Sequence, residues 1–347
     1  SEVYQKPRAY VEIVDTDSSI TTLATCTKFN ITQSRDDLLG SFSCTIAKAK
    51  DWNPRSSDYT NLFDIDKRKR IQIYYGQNID GATSYVKIFT GIITKKPEIY
   101  SFGNSNYITL SGSNLGYLLH RLAGTYTNPT FTGTSKTLLE YWLDQAGISH
   151  SLSYEDSISM SQRDISYATA LTGFQAFKLI LGPDKEAFFD AEGNFIYRNT
   201  PTFSSDEVEF PYTQSNIFSL NRMAEISKIT TVAEITGDTE GHSVTKEASA
   251  VMISKYGRNK LSRNNGLIDT YTKAENLADA ILNIGTSYEN VFDIKMILNP
   301  YLTVGSFITI IDSSLSLTPL TQVRIFELSH SYAAGQTQET SIKSYSE

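Results

Sequence analysis

Apolar and polar residues alternate over much of the first third of the chain. The run Arg8 to Val14 alternates, and Phe42, Cys44 and Ile46 share one face with Ser41, Ser43 and Thr45 on the other. A period of two predicts half-buried strands. Ile71 to Tyr75 reads as a strand stopped by Gly76, Tyr85 to Thr94 as a strand ahead of Pro97, and Tyr107 to Leu110 closes the set. Successive short strands with turn residues between them predict a sandwich or barrel.

The period changes after Gly112. Leu115, Leu118, Leu119 and Leu122 have helical spacing before Gly124, and a second helix is expected from Lys136 to Ala146 before Gly147. A third is expected over Tyr167 to Leu181, followed by a hairpin from Ala187 to Tyr197 turning at Glu192-Gly193-Asn194. Strand patterning returns from about Pro211, including Ile226 to Thr236. Thr272-Lys273-Ala274-Glu275 reads as a capping box for a helix ending at Gly285. Phe292, Ile294, Met296 and Leu298 alternate, and strands continue from Phe307. The fold class expected is mainly β with α+β insertions.

Two strand sets look alike. Ile71-Gln72-Ile73, Val86-Lys87-Ile88-Phe89 and Tyr107 to Leu110 match Ile308-Thr309-Ile310, Val323-Arg324-Ile325-Phe326 and Thr340 to Ile342 in order. The step from Ile71 to Ile88 equals that from Ile308 to Ile325. This reads either as two copies of one barrel or as the likeness any alternating strands share. Two similar barrels per chain would let three copies present six similar units.

Composition narrows the function. The chain has 347 residues, enough for more than one domain, with 40% hydrophobic residues, 21 Tyr and 17 Phe. Its net charge of −7 argues against a duplex DNA reader, which binds through neutralised phosphates. It is compatible with a passive conduit for DNA. Residues 113–210 hold six basic and twelve acidic residues. No run approaches the ~18 apolar residues of a membrane span, so no membrane insertion is expected. Cys26 and Cys44 lie in strand-like runs and read as buried hydrophobes or as a disulfide.

Catalytic signatures are weak. His120, His150, His242 and His330 fall in no zinc-hydrolase spacing, and Gly237 to Gly241 lacks the lysine of a phosphate loop. Asp190 with Glu192, or Glu155 with Asp156, are carboxylate pairs by proximity alone, as a glycosidase would need. Neither a catalytic residue nor a cofactor is expected. Two basic clusters, Lys67-Arg68-Lys69-Arg70 and Lys255, Arg258, Lys260 and Arg263, read as a charged contact surface or as a solvated rim.

A resemblance now emerges. Phe89-Thr90-Gly91-Ile92-Ile93, then Thr109 to Leu115 and a leucine-rich helix, resembles the late-control and hub proteins of tailed phages. So do Ile229 to Ile235, the Tyr256-Gly257-Arg258 turn, the helix Lys273 to Ile284, Leu302 to Ile308 and Val323 to His330. Ser306 departs from the Asp many relatives carry there. The likeness runs along nearly the whole chain, and is nearest to the XkdQ-type hubs of contractile prophages and phage-tail-like bacteriocins.

The resemblance implies two tail-tube-like barrels and two smaller peripheral domains. The first barrel would be 1–112, the α+β peripheral domain 113–210, the second barrel 211–242 with 290–347, and a small helical insertion 243–289. Ile71, Ile73, Val86, Ile88, Phe89, Ile308, Ile310, Val323, Ile325 and Phe326 would be barrel strand or interface residues. The implied function is a baseplate or tail-tip hub, of a contractile or a non-contractile tail: a homotrimeric ring joining the tail tube or distal tail protein to the central spike, passing DNA or tape-measure protein. It would act in a virion or tail-like particle assembled in the bacterial cytoplasm. A peptidoglycan hydrolase and a carbohydrate-binding module are the competing expectations.

Overall fold

A computed structural model describes residues 8–14, 20–35, 37–47, 69–79, 82–95, 97–102, 105–124, 133–153, 159–160, 168–178, 180, 185–200, 211–212, 217–238, 240–312 and 317–346. Strands β1 (Arg8–Val14), β2 (Ile20–Ser34), β3 (Ser41–Ala47), β4 (Arg70–Ile79), β5 (Ala82–Ile93), β6 (Glu98–Phe102) and β7 (Ser105–Asn114) come first. Hydrogen-bonded neighbours run β1-β4-β5-β7-β3-β2, and β2 ladders back onto β1. That closes a six-stranded barrel. The period-two residues fill it: Val11, Ile13, Phe29, Ile31, Phe42, Cys44, Ile46, Ile71, Ile73, Ile108 and Leu110 form one core. Cys26 and Cys44 are free thiols buried in it. A hydrogen bond with Cys26, and then burial, push the Cys44 thiol up.

A peripheral unit follows, with α1 (Gly116–Arg121), β8 (Gly133–Thr134), α2 (Ser135–Ala146), β9 (His150–Ser153), β10 (Ser159–Met160), α3 (Ala170–Phe177), β11 (Lys185–Phe189) and β12 (Phe195–Asn199). Helix α2 matches its pattern: Leu138, Leu139, Trp142, Leu143 and Ala146 are buried, and Gly147 ends it. Two helices are shorter than their spacing predicts. α1 stops at Leu122, whose backbone is extended and whose carbonyl accepts the Ala170 N–H at 2.9 Å. α3 cannot extend backwards because Thr169 is extended, with Oγ1 accepting the Thr172 N–H at 3.1 Å.

The rest comprises β13 (Pro211–Tyr212), β14 (Ile217–Met223), β15 (Val232–Thr236), β16 (Val244–Glu247), α4 (Ala250–Tyr256), β17 (Lys260–Asn264), α5 (Tyr271–Ser287), β18 (Val291–Ile297), β19 (Phe307–Asp312), β20 (Leu317–Ala333) and β21 (Glu339–Ser346). β15 ladders with β16 and β17 in a sheet of their own, away from the strands on either side. The sequence predicts a strand over Ile226 to Thr236 in the second barrel, but Ile226–Lys228 forms a 3-10 turn and only Val232–Thr236 is a strand. Its partners, however, lie within 243–289, which is therefore a mixed α/β unit and not a purely helical one.

Helix α5 is capped by Thr270, whose Oγ1 accepts the Lys273 N–H at 3.3 Å, and not by Thr272. Gly285 lies inside it, because a Cβ there would stand 2.5 Å from Thr230 Cβ. It is a close-packing residue, not a stop.

The two peripheral units share one core. Leu138, Trp142, Phe174 and Phe195 of the first cluster with Ile235, Ile268, Leu277 and Ile281 of the second. Asn265 Nδ2 donates across to Ala176 O at 2.9 Å. The remaining strands run β14-β18-β21-β20-β19-β13 around their own core of Phe292, Ile294, Met296, Ile308, Ile310, Val323, Ile325 and Ile342. Among the described residues no ladder joins β13 to β14, so this array is open where the first is closed. No helix is long and apolar enough to cross a membrane.

Candidate assembly interface

The two arrays have the same strand order. Replacing β1, β2, β3, β4, β5 and β7 by β13, β14, β18, β19, β20 and β21 turns one path into the other. The registers agree as well. Gly91 lies between Ile71 and Asn114, and Val323 lies between Ile308 and Ser346. Ser113 faces Ser41, which faces Thr32; Tyr345 faces Val291, which faces Met223.

Even the irregularities coincide. β2 steps out of register on β3 between Cys26 and Lys28, opposite Ile46 and Thr45. β14 does so on β18 between Ile217 and Ser219, opposite Met296 and Lys295. A bulge is a local feature that re-aims a strand, so its recurrence at the same ladder position is hard to obtain by chance. The edge pairing differs: β13 runs parallel to β19 over Pro211–Tyr212, where β1 is antiparallel to β4.

The ladders decide which residues correspond. Ile71 matches Ile308, as their spacing suggests. Ile88 does not match Ile325, whose counterpart is Ile93. β20 is one strand of 17 residues, and its counterpart is split into β5 and β6 around Pro97. β5 pairs β7 through Gly91–Ile93, and β6 pairs β7 through Glu98–Phe102.

The barrels are joined edge to edge. Lys28–Ser34 of β2 ladders antiparallel with Ala333–Glu327 of β20. Phe29 stacks on Tyr332 at 5.3 Å between ring centroids. The Arg35 N–H donates to Phe326 O at 2.8 Å. The peripheral core is tied to both barrels. Thr90 Oγ1 donates to Ala191 O at 2.7 Å, and Gln33 Nε2 to Phe189 O at 3.3 Å.

A buried charge cluster makes the tie to the second array. Glu186 Oε2 accepts from Arg324 Nη2 at 2.5 Å, with the side chains 0% and 1% exposed, and Oε1 accepts from Arg198 Nε at 2.8 Å. Arg324 also lies over the Phe307 ring at 5.2 Å. A pair this deep contributes little net stability but is costly to break, about 3–5 kcal/mol. Gly305 has φ +86° and a Cβ there would stand 2.9 Å from Glu186 Oε2, so the turn leaves room only for glycine.

The expected barrel residues Ile71, Ile73, Ile88, Phe89, Ile308, Ile310, Val323, Ile325 and Phe326 are buried, and Val86 is half-buried. Lys67 and Arg68 lie outside the described residues. Lys69 is buried, and Arg70 Nη2 donates to Gly147 O at 2.7 Å, binding the barrel to the end of α2. In the second basic cluster, Lys255 pairs with Glu289, Arg258 with Glu247 and Lys260 with Glu234. These contacts hold Glu289 and Glu234 below the usual carboxylate range.

A cavity of about 700 Å³ between α4 and α5 is lined by Glu247, Asp279 and Glu289. Each is already paired with Arg258, Lys246 or Lys255 respectively. Asp190 accepts from the N–H and Nδ2 of Asn194 at 2.7 and 2.9 Å, which makes it a turn residue. Glu155 and Asp156 lie outside the described residues. Among the described residues no group of three or more His, Cys, Asp or Glu is placed to hold a metal. His330 is buried, its Nδ1 2.9 Å from Thr340 Oγ1, and burial pulls its pKa down to about 4.

The sequence reading missed the open edges. β14 ends the sheet path, and β6 ladders with β7 alone among the described residues. Phe218 and Met223 of β14 are 49% and 40% exposed. Exposure of apolar residues at a strand edge marks an interaction surface. Strand patterning does not say which edge is paired.

No family model and no curated protein matches the sequence. Solved structures do. The 43 kDa tail protein of prophage MuSo2 from Shewanella oneidensis is 13% identical with a TM-score of 0.65, covering 98% of each chain. The tail protein from Neisseria meningitidis MC58 is 12% identical with a TM-score of 0.66, covering 99% of this chain and 97% of that one. An Escherichia coli type VI secretion component, described as similar to T4 tail proteins gp27 and gp5, is 10% identical with a TM-score of 0.55, covering 97% and 76%. The chain has the phage tail hub fold.

Proposed function

We propose that this protein is a structural hub of a phage tail or tail-like particle, in which three copies close a ring of six similar barrels. The observation that carries it is the repeat: two arrays with the same strand order, the same registers and a bulge at the same ladder position. One chain thereby supplies two near-equivalent units side by side, and a three-fold ring of such chains presents six. Such a ring can sit on a six-fold tube on one side and a three-fold spike on the other. The fold shared with prophage tail proteins supports the setting.

The work is done by symmetry and buried surface, with no catalytic step assigned to this chain. The partners are other copies, the tail tube or distal tail protein, the central spike, and the DNA or tape-measure protein passing through. The net charge of −7 suits a lumen that does not hold DNA. Native mass spectrometry of the chain, alone and with a phage tail-tube protein, tests the stoichiometry. Three 38.7 kDa chains per assembly is the expected result. Single chains under both conditions would overturn the reading.

A further inference from the structure

The joint within the chain has a counterpart between copies. The registers equate Lys28–Thr32 of β2 with Ser219–Met223 of β14. They equate Ser329–Ala333 of β20 with Glu98–Phe102 of β6. Within the chain, Lys28–Thr32 lies antiparallel to Ala333–Ser329. The rotation that carries the first barrel onto the second array carries the second array onto the next copy's first barrel. The same joint then recurs with β14 in the place of β2 and β6 in the place of β20.

The geometry points to β14 of one copy adding antiparallel onto β6 of the next. Ser219 then stands opposite Phe102, Leu220 opposite Ser101, Asn221 opposite Tyr100, Arg222 opposite Ile99 and Met223 opposite Glu98. The inference rests on the ring reading and adds to it the strands and their register.

Three further observations agree. Both edges are open among the described residues. β14 carries no proline or lysine, and Phe218 and Met223 are exposed along it. Phe218 also occupies the bulge position that Thr27 takes at the inner joint, where the Thr27 hydroxyl donates to Thr45 O at 3.1 Å. Replacing a self-satisfied threonine by an exposed phenylalanine favours burial against a partner. Main-chain pairing along the ladder supplies attraction, and the five opposed residues supply register.

The test uses the full chain carrying Tyr100→Cys and Asn221→Cys, oxidised and separated without reductant. Directly opposed Cβ atoms stand about 4.5–5.5 Å apart, close enough to bridge with slight adjustment, and diagonal neighbours about 7–8 Å apart are not. Cys26 and Cys44 are buried and common to all variants. Covalent dimers and trimers, dissolved by reductant, are expected from this pair. None is expected from either single substitution or from Tyr100→Cys with Met223→Cys. If native mass spectrometry shows three-chain rings of the double variant but oxidation gives no covalent species, the strand pairing is wrong and the ring stands. If only single chains are found and no covalent species forms, the ring and the pairing fall together.

Discussion

His330 shows what burial asks of a single residue here. It is buried in β20, with Nδ1 bonded to Thr340 and burial holding its pKa near 4, below the ordinary 6.5. A base with a depressed folded pKa binds fewer protons folded than unfolded in the interval between the two values. Its contribution to stability is therefore full above about pH 6.5 and is lost as pH falls through about 4. Urea unfolding should lose roughly 2 kcal/mol between pH 7 and pH 5 from this residue, and His330→Gln should lose less over that interval. Identical pH profiles for the two chains would remove the histidine from the account.

At the same scale the sequence was legible where a side chain has one face to choose. Ile71, Ile73, Ile308 and Ile310 alternate and are buried. It was not legible where the choice depends on a distant neighbour. Thr272 has the letters of a cap, but Thr270 has the extended backbone that turns its hydroxyl to the free N–H of Lys273. Gly285 resembles a stop until Thr230 is packed against it. Glu186 and Arg324 are 138 residues apart, and nothing local marks either as a buried partner.

The decisive element is the joint between β2 and β20. Both strands are long because each serves two barrels. The first part of β2 pairs β1 and the later part pairs β20, while β20 pairs β19 first and β2 after. Phe29 is fully buried there and meets Tyr332 from the other array and Tyr75 from its own. Phe29→Ala should cost about 3–5 kcal/mol, as large-to-small changes in cores do. Hydrogen exchange should show protection falling in β2–β3 and in β20–β21 together. Loss confined to the first barrel would mean that the joint does not couple them.

Element existence was readable from period and turn residues, and the order of strand sets was correct. The alignment within them was half right. Val86-Lys87-Ile88-Phe89 and Val323-Arg324-Ile325-Phe326 look alike, yet the ladders set Ile93 and not Ile88 against Ile325. Alternating strands repeat their letters cheaply, whereas a register is fixed by neighbours on both sides. For the same reason Val232–Thr236 read as one more strand of the barrel although it pairs with β16 and β17.

At the scale of the whole molecule, three cores divide the labour. Two lie inside the arrays, and the third is shared by both peripheral units. Hydrogen bonds from Gln33 and Thr90, and the Glu186–Arg324 pair, fix that third core to both arrays. The chain is thus built to hold two like units at one fixed spacing, which is what a ring of three needs and what a lone binding module does not.

The most direct test is a cryo-electron microscopy reconstruction of the assembled full-length chain, computed with no symmetry imposed. A hub ring gives three chains around a channel, six similar barrel densities, and the second array of each chain beside the first barrel of the next. A single copy, or a ring in which the two arrays of a chain lie at different heights and radii, would contradict it.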